Sequence, residues 1–217
     1  MIKIGRRTKA AALIEGIDRR SVFSFCSILL SYPSPWQKEL EPDLKKSLSA
    51  FNPGSVKDNL ETFFHYWLET SEYELEQNYV DHFDLAKKSS LYLTWYSYGD
   101  KRDRGQALVA LKQQYRQAGF ELEEELPDFL PAILELAAHS CEEAGIALLE
   151  EHRIGIELLR LSLINQSCPH AALLEAICLC LKPLGESTSK RISYLIAQGP
   201  PNEAVGLEPF GPPELLK

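Results

Sequence analysis

Little in this 217-residue sequence would build a reaction centre. There is no HExxH and no pair of histidines at helical spacing; His65, His82, His139, His152 and His170 stand singly. A metal site is therefore not expected. Cys178 and Cys180 lie two apart, which points their thiols to different sides of a helix. Cys168-Pro169-His170 is too cramped for an ordinary zinc site. GxSxG, GxGxxG and the P-loop pattern are all missing, so neither a nucleophile turn nor a phosphate-cradling glycine loop is signalled. No catalytic set emerges, and no enzyme activity is expected.

Other shortages narrow the class further. The chain has no CxxC, and its five cysteines (Cys26, Cys141, Cys168, Cys178 and Cys180) are odd in number. They read as free thiols of a reducing cytosol, inert where apolar helical runs bury them. No apolar run approaches the ~18 residues that span a bilayer, so no direct membrane insertion is expected. Basic residues are the minority, 23 Lys and Arg against 31 Asp and Glu, for a net charge of -8. Such a chain gains no general attraction to phosphate backbones, which argues against nucleic acid.

What is present is an ordinary folding composition, 45% hydrophobic and 25% charged, which rules out wholesale disorder. A chain of this length buries roughly 70% of its unfolded surface without a metal or disulfide staple. Apolar residues recur at three and four positions along most of it, the period of helices. Asp18 caps a first helix to about Ser31, buried through Phe23, Cys26, Leu29 and Leu30. Asp18-Arg19-Arg20-Ser21-Val22-Phe23 superficially looks like a twin-arginine export signal, but three serines follow and no cleavage site does, so the helix is the better reading. Trp36, Leu40, Leu44, Leu48 and Phe51 form the next stripe, which Pro42 should kink or split. Asn52-Pro53-Gly54 breaks the chain before a helix carrying Val56, Leu60, Phe63, Phe64, Trp67 and Leu68.

Ser71 and Glu74 have capping-box spacing for a helix to about Phe83. Ser90 to Tyr98 is the one stretch of strand-like composition, but a lone strand has no ladder partner. An extended connector or irregular helix is expected there. Asp100 can cap a helix to about Ala118, with Gly119 at its C′ position. Leu126-Pro127-Asp128-Phe129-Leu130-Pro131 begins a helix to about His139. Residues 142–165 read as one long amphipathic helix, followed by helices from Cys168 and from about Thr188 to Gln198. The expectation is an all-α, bundle-like domain of about nine or ten helices over residues 18–198. The loop after Ala118 is the candidate divide between a larger N-terminal and a smaller C-terminal half, although no break in composition demands two domains. A basic arm (1–17) precedes the domain, and a flexible Pro/Gly-rich tail (199–217) follows it.

One region is unusual in charge. From Leu60 to Asp84 there are seven acidic residues and no lysine or arginine, and then Lys87, Lys88, Lys101, Arg102 and Arg104 follow. Tyr79, Tyr92, Trp95, Tyr96 and Tyr98 lie between. Two readings stand side by side. One is a solvated face over core aromatics. The other is a groove for a basic amphipathic peptide, where aromatics supply apolar area and carboxylates steer the positive end.

Three markers then resemble one family. They are Tyr79-Val80-Asp81-His82-Phe83-Asp84 with Ser90 to Tyr96, Gly99-Asp100-Lys101-Arg102-Asp103-Arg104-Gly105, and Glu125-Leu126-Pro127-Asp128-Phe129-Leu130-Pro131. Leu29-Leu30-Ser31-Tyr32-Pro33 fits the same pattern. The sequence is similar to the delta-subunit, NarJ-type assembly chaperones of respiratory nitrate reductase, within the redox-enzyme maturation chaperone superfamily.

The resemblance implies an all-helical cytoplasmic chaperone outside the finished enzyme. It would bind the N-terminal peptide of the apo catalytic (alpha) subunit and keep that subunit competent for molybdenum cofactor insertion before membrane docking. The implied partners are that subunit and molybdenum cofactor delivery proteins. No cofactor is expected to bind stably, since the molybdenum cofactor belongs to the client. Carried onto this sequence, the markers nominate Tyr79, Asp84, Arg102 and Arg104 for client binding, with Glu76 and Tyr96 behind them. Phe83, Gly99, Asp100, Gly105, Pro127 and Asp128 are nominated as structural, with Asp100 and Asp128 as caps and the glycines as turn or close-packing positions. Two alternatives stay open: a protein that handles the cofactor or a nucleotide directly, using Arg102 and Arg104 at a helix N-terminus, and a purely structural adaptor.

Overall fold

The computed structural model describes residues 18–86, 88–99, 102–122, 125–138 and 142–198. Twelve α-helices and one π-helical turn make up the regular structure of those residues. They are α1 (Arg19–Leu30), α2 (Pro35–Glu39), α3 (Glu41–Ala50), α4 (Ser55–Glu69), α5 (Glu72–Tyr79), the π turn (Val80–Asp84), α6 (Trp95–Tyr98) and α7 (Asp103–Gln117). Then come α8 (Leu130–Ala138), α9 (Glu142–Glu151), α10 (Arg153–Asn165), α11 (Ala171–Cys180) and α12 (Glu186–Gln198). The fold is all-α, as the periodicity predicts.

Helix α1 is the axis. Asp18 caps it by accepting from the Ser21 amide, and Val22, Phe23, Phe25, Cys26, Leu29 and Leu30 are buried nearly all round it. A helix buried on every side needs neighbours on every side. α8 packs along one flank of α1 and α11 along another, while α11 also lies against α4. One apolar core therefore runs from Val22 to Leu181, and the segments before and after Ala118 interleave in it. The single domain expected has one core, which the loop after Ala118 does not divide.

The helix count rises above nine or ten because two runs are split. Pro42 falls in the first turn of α3, and the chain breaks at Leu40, as a proline without an amide requires. The second split is a correction. Residues 142–165 are two helices, turning at His152 (φ -92°, ψ 16°). The reason is that the halves serve different neighbours. α9 lies so close on α8 that a Cβ at Gly145 would stand 2.3 Å from the Ala137 Cα. α10 turns to pack on α11 and α6. On α10 the buried Glu157 carboxylate takes hydrogen bonds from Arg153 (2.7 Å) and Arg160 (2.8 Å), and Arg160 reaches on to Glu175.

The strand-like stretch pairs for one bridge only. Leu93 N–H donates to the Asp128 carbonyl (2.9 Å) and Leu130 N–H to that of Leu91 (2.8 Å), setting Tyr92 antiparallel to Phe129. The chain then curls into the one-turn α6, so it is a connector with an irregular helix, stapled to the start of α8. The thiols of Cys26, Cys168, Cys178 and Cys180 are free, and burial pushes all four up, Cys168 to about 11 and Cys178 and Cys180 to about 12. Cys141, Asp100, the basic arm and the Pro/Gly-rich tail lie outside the described residues.

Candidate functional site

A cleft of about 680 Å3 opens beside the C-terminal end of α1. Its first edge is made by the way α1 stops. The buried Gln37 side chain donates to the carbonyls of Ile28 (2.7 Å), Ser31 and Tyr32 (3.3 Å each). These are groups a helix end leaves without partners. With the end plugged, the chain turns at Pro33 and presents Tyr32 and Trp36 at the cleft, 45% and 46% exposed. Trp36 was expected on a buried stripe. Leu44 and Leu48 of that stripe are buried, but the break at Leu40 frees Trp36 to face the cleft.

The first wall is the π turn. The Ser71–Glu74 capping box starts α5 as expected, but the last turn widens, with Leu85 N–H donating to the Val80 carbonyl five residues back (2.9 Å). Single π turns inside helices recur at functional sites. Here the extra residue places Tyr79, Phe83 and Asp84 together on the cleft. The rings of Tyr79 and Phe83 lie 4.8 Å apart, and Tyr32 meets Tyr79 edge-on at 5.3 Å. Behind them His170 packs 5.0 Å from Phe83 and 4.7 Å from Phe63. Burial depresses its imidazole to about 3. His170 is thus a neutral core ring, and no ligand role attaches to it.

The second wall is the bridged segment. Tyr92 and Phe129 rings lie 5.3 Å apart. Under them sits a polar tie. The Asp128 carboxylate, fully buried, accepts from the Thr94 amide (3.2 Å), the Thr94 hydroxyl and the Arg104 guanidinium (3.3 Å). Arg104 also donates to the Thr94 hydroxyl oxygen (3.0 Å) and lies 6.0 Å from the Tyr92 ring centre. Phe120, Leu122 and Pro131 complete the apolar lining.

The electrostatics are one-sided. Asp84, Glu121, Glu125 and Glu135 line the cleft, and among the described residues its lining holds no Lys, Arg or His. Desolvation raises the Asp84 carboxyl above its ordinary range. The Tyr79 hydroxyl is pushed up by burial, then by Asp84 and Glu125. Burial raises Tyr92 too, with Glu125 and Asp128 adding to it and Arg104 opposing. A surface of aromatic faces rimmed by carboxylates favours apolar side chains flanked by cations.

Of the six nominated client-binding residues, the cleft gathers Tyr79 and Asp84 only. Glu76 sits half-buried on α5, one turn earlier, and does not line it. Tyr96 faces away: its hydroxyl donates to the Ser90 carbonyl (3.0 Å), and its ring packs where a Cβ on Gly155 would come within 3.1 Å. Arg102 is exposed at the foot of α7, off the cleft. Arg104 is tied beneath the second wall. Lys88, Arg102 and Arg104 of the expected basic half are therefore not in it, and Lys87 and Lys101 lie outside the described residues.

Among the structural nominations, Phe83 is core and cleft floor at once. Gly99 is buried at φ +56°, a conformation that favours glycine. Gly105 lies in the first turn of α7, and a Cβ there would meet nothing within 4 Å, so close packing does not explain it. Pro127 is buried. Asp128 is no cap; it joins two segments thirty-four residues apart.

Sequence reasoning missed most of the cleft: Tyr32, Trp36, Phe120, Phe129 and the carboxylates Glu121, Glu125 and Glu135. The Leu-Leu-Ser-Tyr-Pro ending of α1 and the acidic run from Glu121 were the available signals. Among the described residues no group of three or more His, Cys, Asp or Glu is placed to hold a metal, and no helix is long and apolar enough to cross a membrane.

Comparison with known proteins agrees with this picture. A family model described as nitrate reductase delta subunit matches residues 52–173, which take in the π turn, the bridged segment and the Asp128 tie. The chain is 36% identical over 170 residues to a Bacillus subtilis protein named "Probable nitrate reductase molybdenum cofactor assembly chaperone NarJ", covering 77% of this chain and 92% of that one. It is 30% identical over 154 residues to the Escherichia coli protein named nitrate reductase molybdenum cofactor assembly chaperone NarJ, covering 70% of this chain and 65% of the other. A Mycobacterium tuberculosis protein named nitrate reductase-like protein NarX is 33% identical over 166 residues, 76% of this chain but only 25% of that longer one.

Proposed function

The chain belongs to the nitrate reductase delta-subunit family, and from that membership we propose that it is an assembly chaperone whose cleft grips the N-terminal segment of the apo catalytic subunit. Its relatives are named as assembly chaperones, and the chain is not an enzyme. By holding that segment in the cytoplasm, the protein keeps the client open for molybdenum cofactor insertion and delays docking at the membrane. The cofactor goes to the client and is not kept here.

The observation that carries this reading is the cleft itself. Two aromatic walls face each other, two large apolar side chains stand exposed at the edge, and every charge on the lining is negative among the described residues. An amphipathic basic helix fits such a site. Its apolar face would bury Tyr32, Trp36 and Tyr92, and its cations would meet Glu121, Glu125 and Glu135. Exposed ion pairs contribute under about 1 kcal/mol each, so the aromatic contacts set the affinity and the carboxylates set approach and register. Direct handling of a phosphate-bearing cofactor or nucleotide finds no support in four carboxylates.

Calorimetry with a synthetic peptide of the client's first twenty residues tests the reading. Asp84→Lys is expected to weaken binding several-fold while leaving the melting temperature nearly unchanged, since Asp84 is exposed. Wild-type affinity in that variant, or no binding by the unaltered protein, removes the cleft from client recognition.

A further inference from the structure

The cleft's chemistry also describes part of this chain. Residues 1–17 hold Lys3, Arg6, Arg7 and Lys9 against the single carboxylate of Glu15, and Ile2, Ile4, Leu13 and Ile14 give apolar contact. We propose that this basic N-terminal segment seats in the acidic aromatic cleft and competes with the client for it. The inference deepens the proposed function, since its regulatory meaning rests on the cleft being the client site.

Charge selects the N-terminal segment over the other end. Residues 199–217 carry Glu203, Glu208 and Glu214 against Lys217 alone, and four carboxylates would repel them. Charge also selects this cleft over the nearer hollow of about 350 Å3, whose lining sets Lys46 and Lys57 against Asp18 and Asp43 and so offers no net negative charge.

Reach permits the docking. The segment joins α1 at Asp18, and the cleft begins at Ser27 and Ser31 towards the other end of that helix. Twelve helical residues are about 18 Å long. Residues 10–17, fully extended, span at most about 29 Å, longer than α1 and so with slack to pass round the helices packed on it, which leaves Lys3 to Lys9 to lie across the carboxylates. A tethered segment acts at an effective concentration in the millimolar range, so even weak intrinsic affinity would hold it in place most of the time. A client peptide of higher affinity displaces it; a chance basic peptide does not. The family match begins at residue 52, so this segment lies outside the part that defines the family.

Zero-length carbodiimide cross-linking of the dilute full chain, mapped by mass spectrometry, reads the seat directly. The expected products join Lys3 or Lys9 to Asp84, Glu121, Glu125 or Glu135 within the monomer and fade at high salt. Products confined to other carboxylates, or found only between molecules, overturn the proposal. A second arm uses the full chain with Lys3→Ser, Arg6→Ser, Arg7→Ser and Lys9→Ser together. It should bind the twenty-residue client peptide about 3- to 10-fold more tightly than wild type, with the gap closing at high salt. Equal affinities overturn the competition. Should the peptide bind neither protein, the proposed function fails while the cross-link map still decides where the segment sits. Cross-links absent from the cleft, together with wild-type-only binding to phosphatidylglycerol vesicles, would assign the segment to lipid and refute the docking.

Discussion

The two walls of the cleft are held by opposite means. The π-turn wall rests on packed rings: Tyr79 and Phe83 on the neutral His170, and His170 on Phe63. The bridged wall rests on a buried charge: Tyr92 and Phe129 over the Asp128 carboxylate, which gathers Thr94 and Arg104. Apolar packing is tolerant of small shifts and indifferent to direction. A buried carboxylate is neither, because losing one partner leaves the rest uncompensated. One wall is thus a yielding surface and the other a fixed one.

The largest effect should come from breaking the fixed wall. Asp128→Ala strands the Arg104 guanidinium and both Thr94 donors, and is expected to cost about 3–5 kcal/mol of stability. Denaturant unfolding measures it. Combined with Arg104→Met in a double-mutant cycle, the pair should couple by more than 1 kcal/mol. Arg104→Glu alone must then lower the melting temperature, so it cannot serve as a clean probe of client binding. Additivity within 0.5 kcal/mol would show the tie to be incidental.

Phe83→Ala tests the yielding wall. Phe83 is 8% exposed, so the loss belongs near the lower end for a buried phenylalanine, about 3 kcal/mol. Unlike Asp128→Ala, it should be largely repaired by Phe83→Leu. A leucine as costly as alanine would mean that ring geometry, and not volume, holds the wall.

His170 sharpens the contrast through pH. Its folded-state value is depressed to about 3 from an ordinary 6.5. Below pH 6.5 the unfolded chain takes up a proton that the folded chain refuses, so stability falls as pH falls towards 3 and is fully present above 6.5. The slope from this one group is at most about 1.4 kcal/mol per pH unit. His170→Phe should flatten that part of the melting profile between pH 6.5 and 4. Parallel profiles for the two proteins would mean that the ring takes up its proton in the fold as readily as in the unfolded chain.

The walls also differ in how far the sequence reveals them. Phe63 lies on a helical stripe, the Ser71–Glu74 capping box is spelled out locally, and the family resemblance nominates Tyr79, Phe83 and Asp84, so most residues of the first wall were legible, though not His170 behind them. The π turn was not, because one widened turn leaves no mark on residue spacing. The second wall was hidden because its partners are far apart in the chain. Asp128 before an apolar run reads as a cap, and only the fold shows that it reaches Thr94. Arg104 beside other cations reads as a recognition charge until its neighbour is known to be buried and acidic. The all-α class, by contrast, follows from period alone. The break at His152 does not, because it comes from the need to serve two packing partners at once.

Trp36→Ser probes the edge that both walls share. Trp36 is 46% exposed, so stability should move by no more than about 0.5 kcal/mol. Client-peptide affinity should fall about tenfold, as for an aromatic anchor at the margin of an interface. Unchanged affinity would leave the exposed ring without a role.

The smallest effect is expected at Arg102, and it separates the fixed wall from mere nearness to it. Arg102 stands two residues from Arg104, in the same charged run, and is exposed at the foot of α7 away from the cleft lining. If the cluster of cations recognised the client as a patch, Arg102→Glu and Arg104→Glu would weaken peptide binding alike. If Arg104 matters because it ties Asp128, the substitutions diverge. Arg104→Glu should lower the melting temperature and distort the Tyr92 wall. Arg102→Glu should leave stability within about 0.5 kcal/mol of wild type and, as a screened exposed charge, change client-peptide affinity less than about threefold. A tenfold loss at Arg102 with the fold intact would move the client's path off the acidic cleft and onto α7.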